Sequence, residues 1–104
     1  MGQIAMQGLA PFVVPKTTYS TAGGVVLFTD VAGYPAWTSM VTFRVDSGSA
    51  LVALTPDSSG PFIEFAEGSG FEYAVRTKGL YIKGDGADCD VTVIALLDPT
   101  TRTA

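Results

Sequence analysis

Two segments of the chain alternate apolar and polar side chains, so that the apolar residues of each segment fall on one face. In the first segment the residues that share a face are Trp37, Ser39, Val41, Phe43 and Val45. In the second, Phe71, Tyr73 and Val75 share a face in the same way. A period of two is typical of a strand with one buried side. We therefore expect Trp37 and the alternating apolar residues to lie in the core.

Other segments combine β-branched and aromatic residues and are separated by short turns. The segments with strand character are 25–29, 37–45, 50–55, 62–66, 71–76, 80–83 and 90–97. Glycine, proline, serine and aspartate punctuate the chain between them, and no window of helical length keeps a 3.6-residue apolar repeat. The pattern predicts an all-β domain, either an antiparallel β-sandwich or a jelly-roll-like barrel, with an extended N-terminal arm.

Two of the predicted strands carry apolar side chains on both faces. They contain the sequences VVLF at 25–28 and VIALL at 93–97. The outer face of a sandwich normally meets water, so an apolar outer face predicts a cover. A neighbouring subunit or the chain's own arm would supply that cover. The alternative is a central strand whose apolar outer face stays exposed.

The first 22 residues differ from the rest of the chain. An apolar stretch is followed by PFVVP, which is bracketed by Pro11 and Pro15, and then by a polar stretch. Proline at both ends restricts such a piece to an edge strand or an extended arm. We expect residues 1–22 to be an arm and residues 23–104 to be the sandwich. The arm residues predicted to make interface contacts are Ile4, Met6, Leu9, Phe12, Val13 and Val14.

The composition favours association over a solitary monomer. A chain of 104 residues is one domain, and only 15% of its residues are charged, against about 25% in an average protein. So little charge leaves much of the surface apolar or neutral, which predicts a homo-oligomer or a permanent partner. The net charge of −4 and the scattered basic residues argue against nucleic acid as a partner. No apolar run approaches the length of a membrane span, and no signal peptide or lipidation motif is expected.

The residue types needed for catalysis are poorly represented. The chain has no histidine, which removes the commonest general base and the commonest partner of a nucleophile. The single cysteine, Cys89, stands between Asp88 and Asp90, whose charges would raise its pKa. Three glutamates, Glu64, Glu67 and Glu72, are candidates for glycoside hydrolysis but lie in no recognisable motif. We therefore expect no catalytic residue and no cofactor.

The segment GDGADCD at 84–90 has the composition of a calcium-binding loop. Asp85, Asp88 and Asp90 would be the ligands, but the spacing does not fit an EF-hand. A simple hairpin between two strands is the other interpretation. In that case Gly84 and Gly86 would take positive φ angles, and Asp85 would bond its own backbone. We expect the hairpin.

Aromatic side chains on a β-sandwich can also stack against sugars. The candidates for such a role are Tyr19, Tyr34, Trp37 and Tyr81. They suggest a carbohydrate- or receptor-binding module as an alternative function.

Residues 71–96, FEYAVRTKGLYIKGDGADCDVTVIAL, resemble the small β-sandwich virion proteins of tailed bacteriophages, including capsid decoration (cement) proteins. The shared features are a strand, a Lys-Gly turn, a short aromatic strand, a Gly-Asp-Gly loop and a final aliphatic strand. The resemblance implies a non-enzymatic structural protein at the capsid surface, made in the host cytoplasm. It would be a dimer or trimer that binds the major capsid protein or other virion subunits and stabilises the shell. The alternative is a carbohydrate- or receptor-binding module of a phage tail or a secreted protein.

Overall fold

Residues 11–98, the part of the chain that the computed structural model describes, form eight β-strands and no helix. The strands are β1 (Pro11–Tyr19), β2 (Gly24–Leu27), β3 (Thr38–Ser47), β4 (Ala50–Ala53), β5 (Ile63–Phe65), β6 (Gly70–Tyr73), β7 (Gly79–Gly84) and β8 (Cys89–Leu97). Every strand predicted from the sequence is confirmed. Strand β1 was not among the predicted strands, since it lies within the N-terminal segment 1–22.

The strands form two antiparallel four-stranded sheets that pack face to face. Sheet one has the order β1-β8-β3-β6, and sheet two has the order β2-β7-β4-β5. Four of the pairings join β1 to β8, β2 to β7, β3 to β6 and β4 to β5, as in one long hairpin folded over itself. One further pairing completes each sheet: β3 with β8 in sheet one and β4 with β7 in sheet two. This is the double-sheet arrangement of a jelly roll, so the predicted antiparallel sandwich is confirmed.

The core lies between the two sheets and is built from every second residue of each long strand. Val41, Phe43 and Val45 of β3 are at most 1% exposed, as the alternating pattern predicted. Two groups of aromatic rings join the sheets. Phe43 of sheet one lies 4.9 Å from Phe65 of sheet two, measured between ring centroids. Phe12 packs edge-on against Phe28 at 5.5 Å.

The prediction for Trp37 is wrong. The pairing of β3 with β8 shifts between Thr38 and Met40, and this irregularity moves Thr38 to the core face. Thr38 is fully buried and its hydroxyl donates to the carbonyl of Val75 at 2.7 Å. Trp37 is only half-buried, and the charged groups of Arg76 and Lys78 each lie 4.8 Å from its ring centroid. A hydrogen-bonded threonine therefore occupies the place that alternation assigned to the indole.

Strand β1 is an edge strand that pairs along its length with β8. It takes up much of the segment expected as an arm, and its irregular pairing falls at Pro15, where a proline cannot donate to the ladder. Phe12 and Val14 point inward and pack against the core, whereas Val13 points outward and is 57% exposed. The other predicted interface residues, Ile4, Met6 and Leu9, lie outside the described residues.

The loop between β7 and β8 is the predicted hairpin connection. Gly86 has a φ of 81°, as expected for a turn glycine. Gly84 differs from the prediction because its φ is not in the left-handed region. It is instead a site of close approach, where a Cβ would clash with the carbonyl oxygen of Ala87. The loop therefore needs its two glycines for two different reasons.

Candidate functional site

The outer face of sheet one divides into a polar half and an apolar half. The polar half lies at the end of the sandwich where β8 begins, and its members are Thr18, Arg44, Asp46, Ser47, Asp90 and Thr92. The apolar half lies at the end where β8 finishes, and its members are Pro11, Val13, Met40, Ile94 and Leu96. The register places each group side by side across β1, β8 and β3.

Two aspartates organise the polar half. Asp90 accepts hydrogen bonds from the hydroxyls of Thr18 at 2.6 Å and Ser47 at 2.9 Å. Asp46 accepts from the Thr92 hydroxyl at 2.6 Å and pairs with the Arg44 guanidinium at 2.7 Å. These donors stabilise the ionised carboxylates, so they lower the pKa of both aspartates. Both carboxylates already have hydrogen-bond partners within the protein, so the polar half is not an open ligand site.

Acidification is expected to remove the stabilisation that Asp46 and Asp90 provide. Their pKa values are lower in the folded protein than in the unfolded chain, so the stabilisation is present above the ordinary aspartate pKa of about 3.9. It is lost as the pH falls through the folded-state values. Thermal melts between about pH 6 and about pH 3 should show a steeper loss of stability in the wild type than in Asp46→Asn/Asp90→Asn.

The matched control is Asp88→Asn, which removes an exposed carboxylate from the same end of the sandwich. It should follow the wild-type pH dependence. A double variant that loses stability as steeply as the wild type would contradict a role for these two carboxylates.

A groove of about 360 Å³ lies where the polar and apolar halves meet, against β6. Its walls include Thr42, Arg44, Glu72 and Ile94. The groove exists partly because Gly70, which pairs with Arg44, has no side chain. Beside it, Val13 and Ile94 form a directly opposed pair, and they are 57% and 42% exposed. This is an exposed apolar surface with charged residues at its edge.

The two strands with apolar outer faces are not covered by any of the described residues. On β2, Val25 is 47% exposed and Leu27 is 58% exposed, and on β8 Ile94 is 42% exposed. The predicted cover by a neighbouring subunit or by the N-terminal arm stays a prediction, and β2 is an edge strand and not the central strand of the alternative. These positions are available for contacts with another molecule.

The three aspartates considered for calcium are not brought together. Asp90 belongs to the polar half of sheet one, and the Asp85 carboxyl lies beside Glu64 of β5 on sheet two. Among residues 11–98, no group of three or more potential ligands lies close enough to hold a metal ion.

Cys89 is 1% exposed, and its burial, followed by the charges of Asp90 and Asp88, raises the pKa of its thiol.

The glutamates considered for glycoside hydrolysis are also separated. Glu64 lies on the outer face of sheet two and Glu72 on the outer face of sheet one, so the sandwich stands between them. Glu67 lies in the turn before β6, and one of its carboxylate oxygens accepts from the Gly48 amide at 2.9 Å. Glu64 and Glu72 therefore cannot act on one bond from its two sides.

The four aromatic residues considered for sugar stacking occupy different parts of the fold. Tyr19 is 8% exposed and belongs to the core. Tyr81 lies on the outer face of sheet two, and its hydroxyl donates to the Ala22 carbonyl. Tyr34, in the loop before β3, is 60% exposed. Trp37 lies near the same end but is flanked by the two cations described above, so the four side chains do not form one platform.

The polar half and the groove were not found by sequence reasoning. Thr18 and Ser47 lie 72 and 43 residues from Asp90, the residue they bond. No local motif connects residues so far apart, because only the pairing of β1 and β3 with β8 makes them neighbours. The sequence VIALL did predict that β8 carries apolar side chains on both faces, which was the one available signal.

No family model matches the chain, and no curated protein matches its sequence. Among the solved structures that match, a transcriptional regulator of the HTH_3 family from Vibrio cholerae is 12% identical, with a TM-score of 0.51 over 88% of this chain. The chain spans only 44% of that regulator. A cupin superfamily protein from Desulfitobacterium hafniense is 10% identical, with a TM-score of 0.50 over 86% of this chain and 78% of the other.

A structure of Bacillus endospore appendages, described as a novel family of disulfide-linked pili, is 18% identical. Its TM-score is 0.51 over 86% of this chain and 88% of the pilus chain. Identities this low show a shared β-sandwich fold.

Within residues 11–98 there is no helix with the length and apolar character needed to cross a membrane.

Proposed function

We propose that the protein is a non-enzymatic structural subunit of a virion, acting as a capsid decoration protein that stabilises the shell through subunit contacts. The observation that carries the proposal is the apolar half of sheet one, where Val13 and Ile94 stand exposed and directly opposed. Exposed apolar surface next to a polar rim is typical of a protein interface. Jelly rolls are common in viral capsid domains, which fits the observed strand arrangement.

The contact surface that we propose combines the apolar half with the N-terminal segment. Strand β1 begins at Pro11, which pairs with Leu96 in the apolar half. Ile4, Met6 and Leu9 precede that point in the chain, so they join the contact surface in this proposal. One matched structure comes from appendages that form disulfide-linked pili, which supports a subunit role for this fold. A disulfide link is not part of the proposal, because the single cysteine is buried in the core.

Virions that lack the chain provide the test. Adding purified wild-type protein should restore its copies on the particle and raise the temperature at which the shell ruptures. Val13→Asp and Ile94→Asp should each weaken binding to the particle at least about tenfold, because a charge replaces an apolar contact. The measurement is co-sedimentation with the particles, followed by a thermal rupture assay.

Val31→Asp is the matched control, since Val31 is 98% exposed and lies outside both sheets. It should bind as the wild type does. A deletion of residues 1–10 tests the N-terminal segment without removing β1, whereas a deletion to residue 22 would also remove that strand. Particles that show no bound protein, or that rupture at the same temperature with and without it, would contradict the proposal.

A carbohydrate- or receptor-binding module is the second candidate. The observation in its favour is Tyr34, whose ring is 60% exposed at one end of the sandwich, and jelly rolls also occur in lectins. A glycan array that detects binding by the wild type and not by Tyr34→Ala would favour this function. Binding that survives Tyr34→Ala, or no binding at all, would exclude Tyr34 as a sugar platform.

A further inference from the structure

Strand β2 forms one edge of sheet two, with β7 on its inner side and no strand of residues 11–98 on its outer side. The amide of Phe28, the residue after β2, donates to the Lys78 carbonyl of the β7 side at 2.9 Å. Bonded and non-bonded pairs alternate along an antiparallel ladder, so Val26 also bonds β7. The amides and carbonyls of Val25 and Leu27 therefore point to the outer side.

These outward backbone groups are accessible. No hydrogen bond from residues 11–98 reaches the amide or carbonyl of Val25 or Leu27. The two side chains, on the outer face of sheet two, are 47% and 58% exposed. Amides and carbonyls that alternate at strand spacing are complementary to one kind of ligand, the backbone of an extended peptide.

The other three edge strands carry features that oppose the addition of a strand. Strand β1 contains Pro11, Pro15 and Lys16, β5 exposes Glu64, and β6 exposes Glu72. Prolines and charged side chains are common means by which proteins prevent pairing at sheet edges. Strand β2, with the sequence GVVL, has neither. Its edge is therefore the one of the four that is left without such protection.

We propose that the β2 edge binds an extended segment of another protein, which adds to sheet two beside β2. The backbone of the segment bonds the outward groups of Val25 and Leu27. Its uncharged, apolar side chains lie beside these two residues on the outer face, where Tyr81 is the cross-strand neighbour of Val25. The inference goes beyond the proposed shell contact, because that contact uses sheet one.

The position of β1 favours a single segment over a second sandwich. Phe12 of β1 packs against Phe28 at 5.5 Å, and the Tyr19 ring lies 3.6 Å from the position of a Cβ at Gly24, so β1 lies across the sandwich from β2. A second copy that joined its β2 antiparallel to this edge would also bring the two β1 strands together. The prolines of β1 have no amide to donate, so the two β1 strands could not continue sheet one. A single strand does not meet this obstacle.

Amide hydrogen exchange followed by NMR tests whether the edge is open. The Val25 and Leu27 amides should exchange at least about tenfold faster than the Val26 amide, which bonds β7. Deletion of residues 1–10 should leave the three rates unchanged. Slow exchange at Val25 and Leu27 that disappears on dilution, or on that deletion, would identify a second copy or the N-terminal segment as the occupant and would overturn the inference.

A blocked peptide, Lys-Thr-Val-Thr-Val-Thr-Lys, is the probe for binding. Titrated to about 1 mM, it should shift the Val25 and Leu27 amide resonances saturably. Alternate amides of a strand point to opposite sides, so N-methylation of one set, the valines or the threonines, should abolish the shifts. N-methylation of the other set should preserve them. No saturable shift, or the same result from both methylated peptides, would overturn the inference.

Leu27→Pro removes one outward amide and no bond to β7, and proline is tolerated at such an edge position. It should weaken peptide binding at least about tenfold. Leu27→Ala is the matched control, because it keeps the amide and loses only a cross-strand side-chain contact, so its binding should stay within about fivefold of the wild type. Equal binding by the two variants would contradict backbone pairing.

Circular dichroism shows whether each variant is folded, and the methylated peptides test the same bonds on the wild type if Leu27→Pro does not fold. Val13→Asp and Ile94→Asp, which change sheet one, should bind the peptide as the wild type does. A failure of shell binding and a failure of strand addition are therefore separate results.

Discussion

Replacement of Phe43 by alanine is expected to lower the free energy of unfolding by about 3–5 kcal/mol. The Phe43 side chain is 1% exposed, and its ring lies 4.9 Å from Phe65 and 5.4 Å from Phe71, measured between centroids. Phe65 belongs to sheet two, so this ring fills space between the sheets. Its removal leaves a cavity that strands paired on both sides cannot close. Since domains of this size are stable by about 5–15 kcal/mol, the loss is a large share of the total.

Thermal and urea unfolding measure this loss, and the melting temperature should fall by roughly 15–30 °C. The matched control is Phe62→Ala, because Phe62 is only half-buried and lies on the outer face of sheet two. That substitution should cost less than half as much. Equal losses from the two variants would show that Phe43 has no special role between the sheets.

Replacement of Gly84 by alanine is the second change with a large expected effect. A Cβ at Gly84 would clash with the carbonyl oxygen of Ala87 and would lie 2.9 Å from the carbonyl carbon, so the backbone of the 84–88 loop must move. The amides of Gly84 and Asp85 donate to the carbonyls of Ser20 and Ser49, and these bonds hold the loop against its neighbours. We expect a loss of about 2–3 kcal/mol, as in other overpacked sites.

Gly70→Ala is the matched control for Gly84→Ala. Neither glycine has a positive φ, but the nearest atom to a Cβ at Gly70 is the Phe43 carbonyl oxygen at 3.7 Å, an ordinary contact. Its unfolding free energy should stay within about 0.5 kcal/mol of the wild type. A Gly84→Ala variant as stable as the control would show that the loop adjusts freely. The same pair of variants can be compared by urea unfolding.

The sequence alone was sufficient to locate the strands from residue 23 onward. Alternation and β-branched residues are local signals, and they identified β3 and β6 with the correct buried face for Val41 and Phe43. The same reasoning identified the hairpin at 84–90 and the apolar outer face of β8. It failed at Trp37, because a shift in register depends on the partner strand and leaves no mark in the alternation.

The pairing of strands required the tertiary structure. Sequence pattern shows which face of β8 is apolar, but it does not show that β1 and β3 flank that strand. That pairing brings Thr18 and Ser47 to Asp90, and it opposes Val13 to Ile94. The prolines allowed either an edge strand or an extended arm, and the pairing with β8 makes Pro11–Tyr19 an edge strand within that N-terminal segment.

Composition and local pattern determined the class of this protein: an all-β domain with little charge, no histidine and one cysteine. The tertiary structure decided which residues share a surface. It placed Glu64 beside Asp85 and across Leu51 from Lys83, and it separated Asp85 from Asp90. The physical reason is that side-chain orientation within a strand is set by nearest neighbours, whereas the order of strands in a sheet is set by contacts between distant parts of the chain.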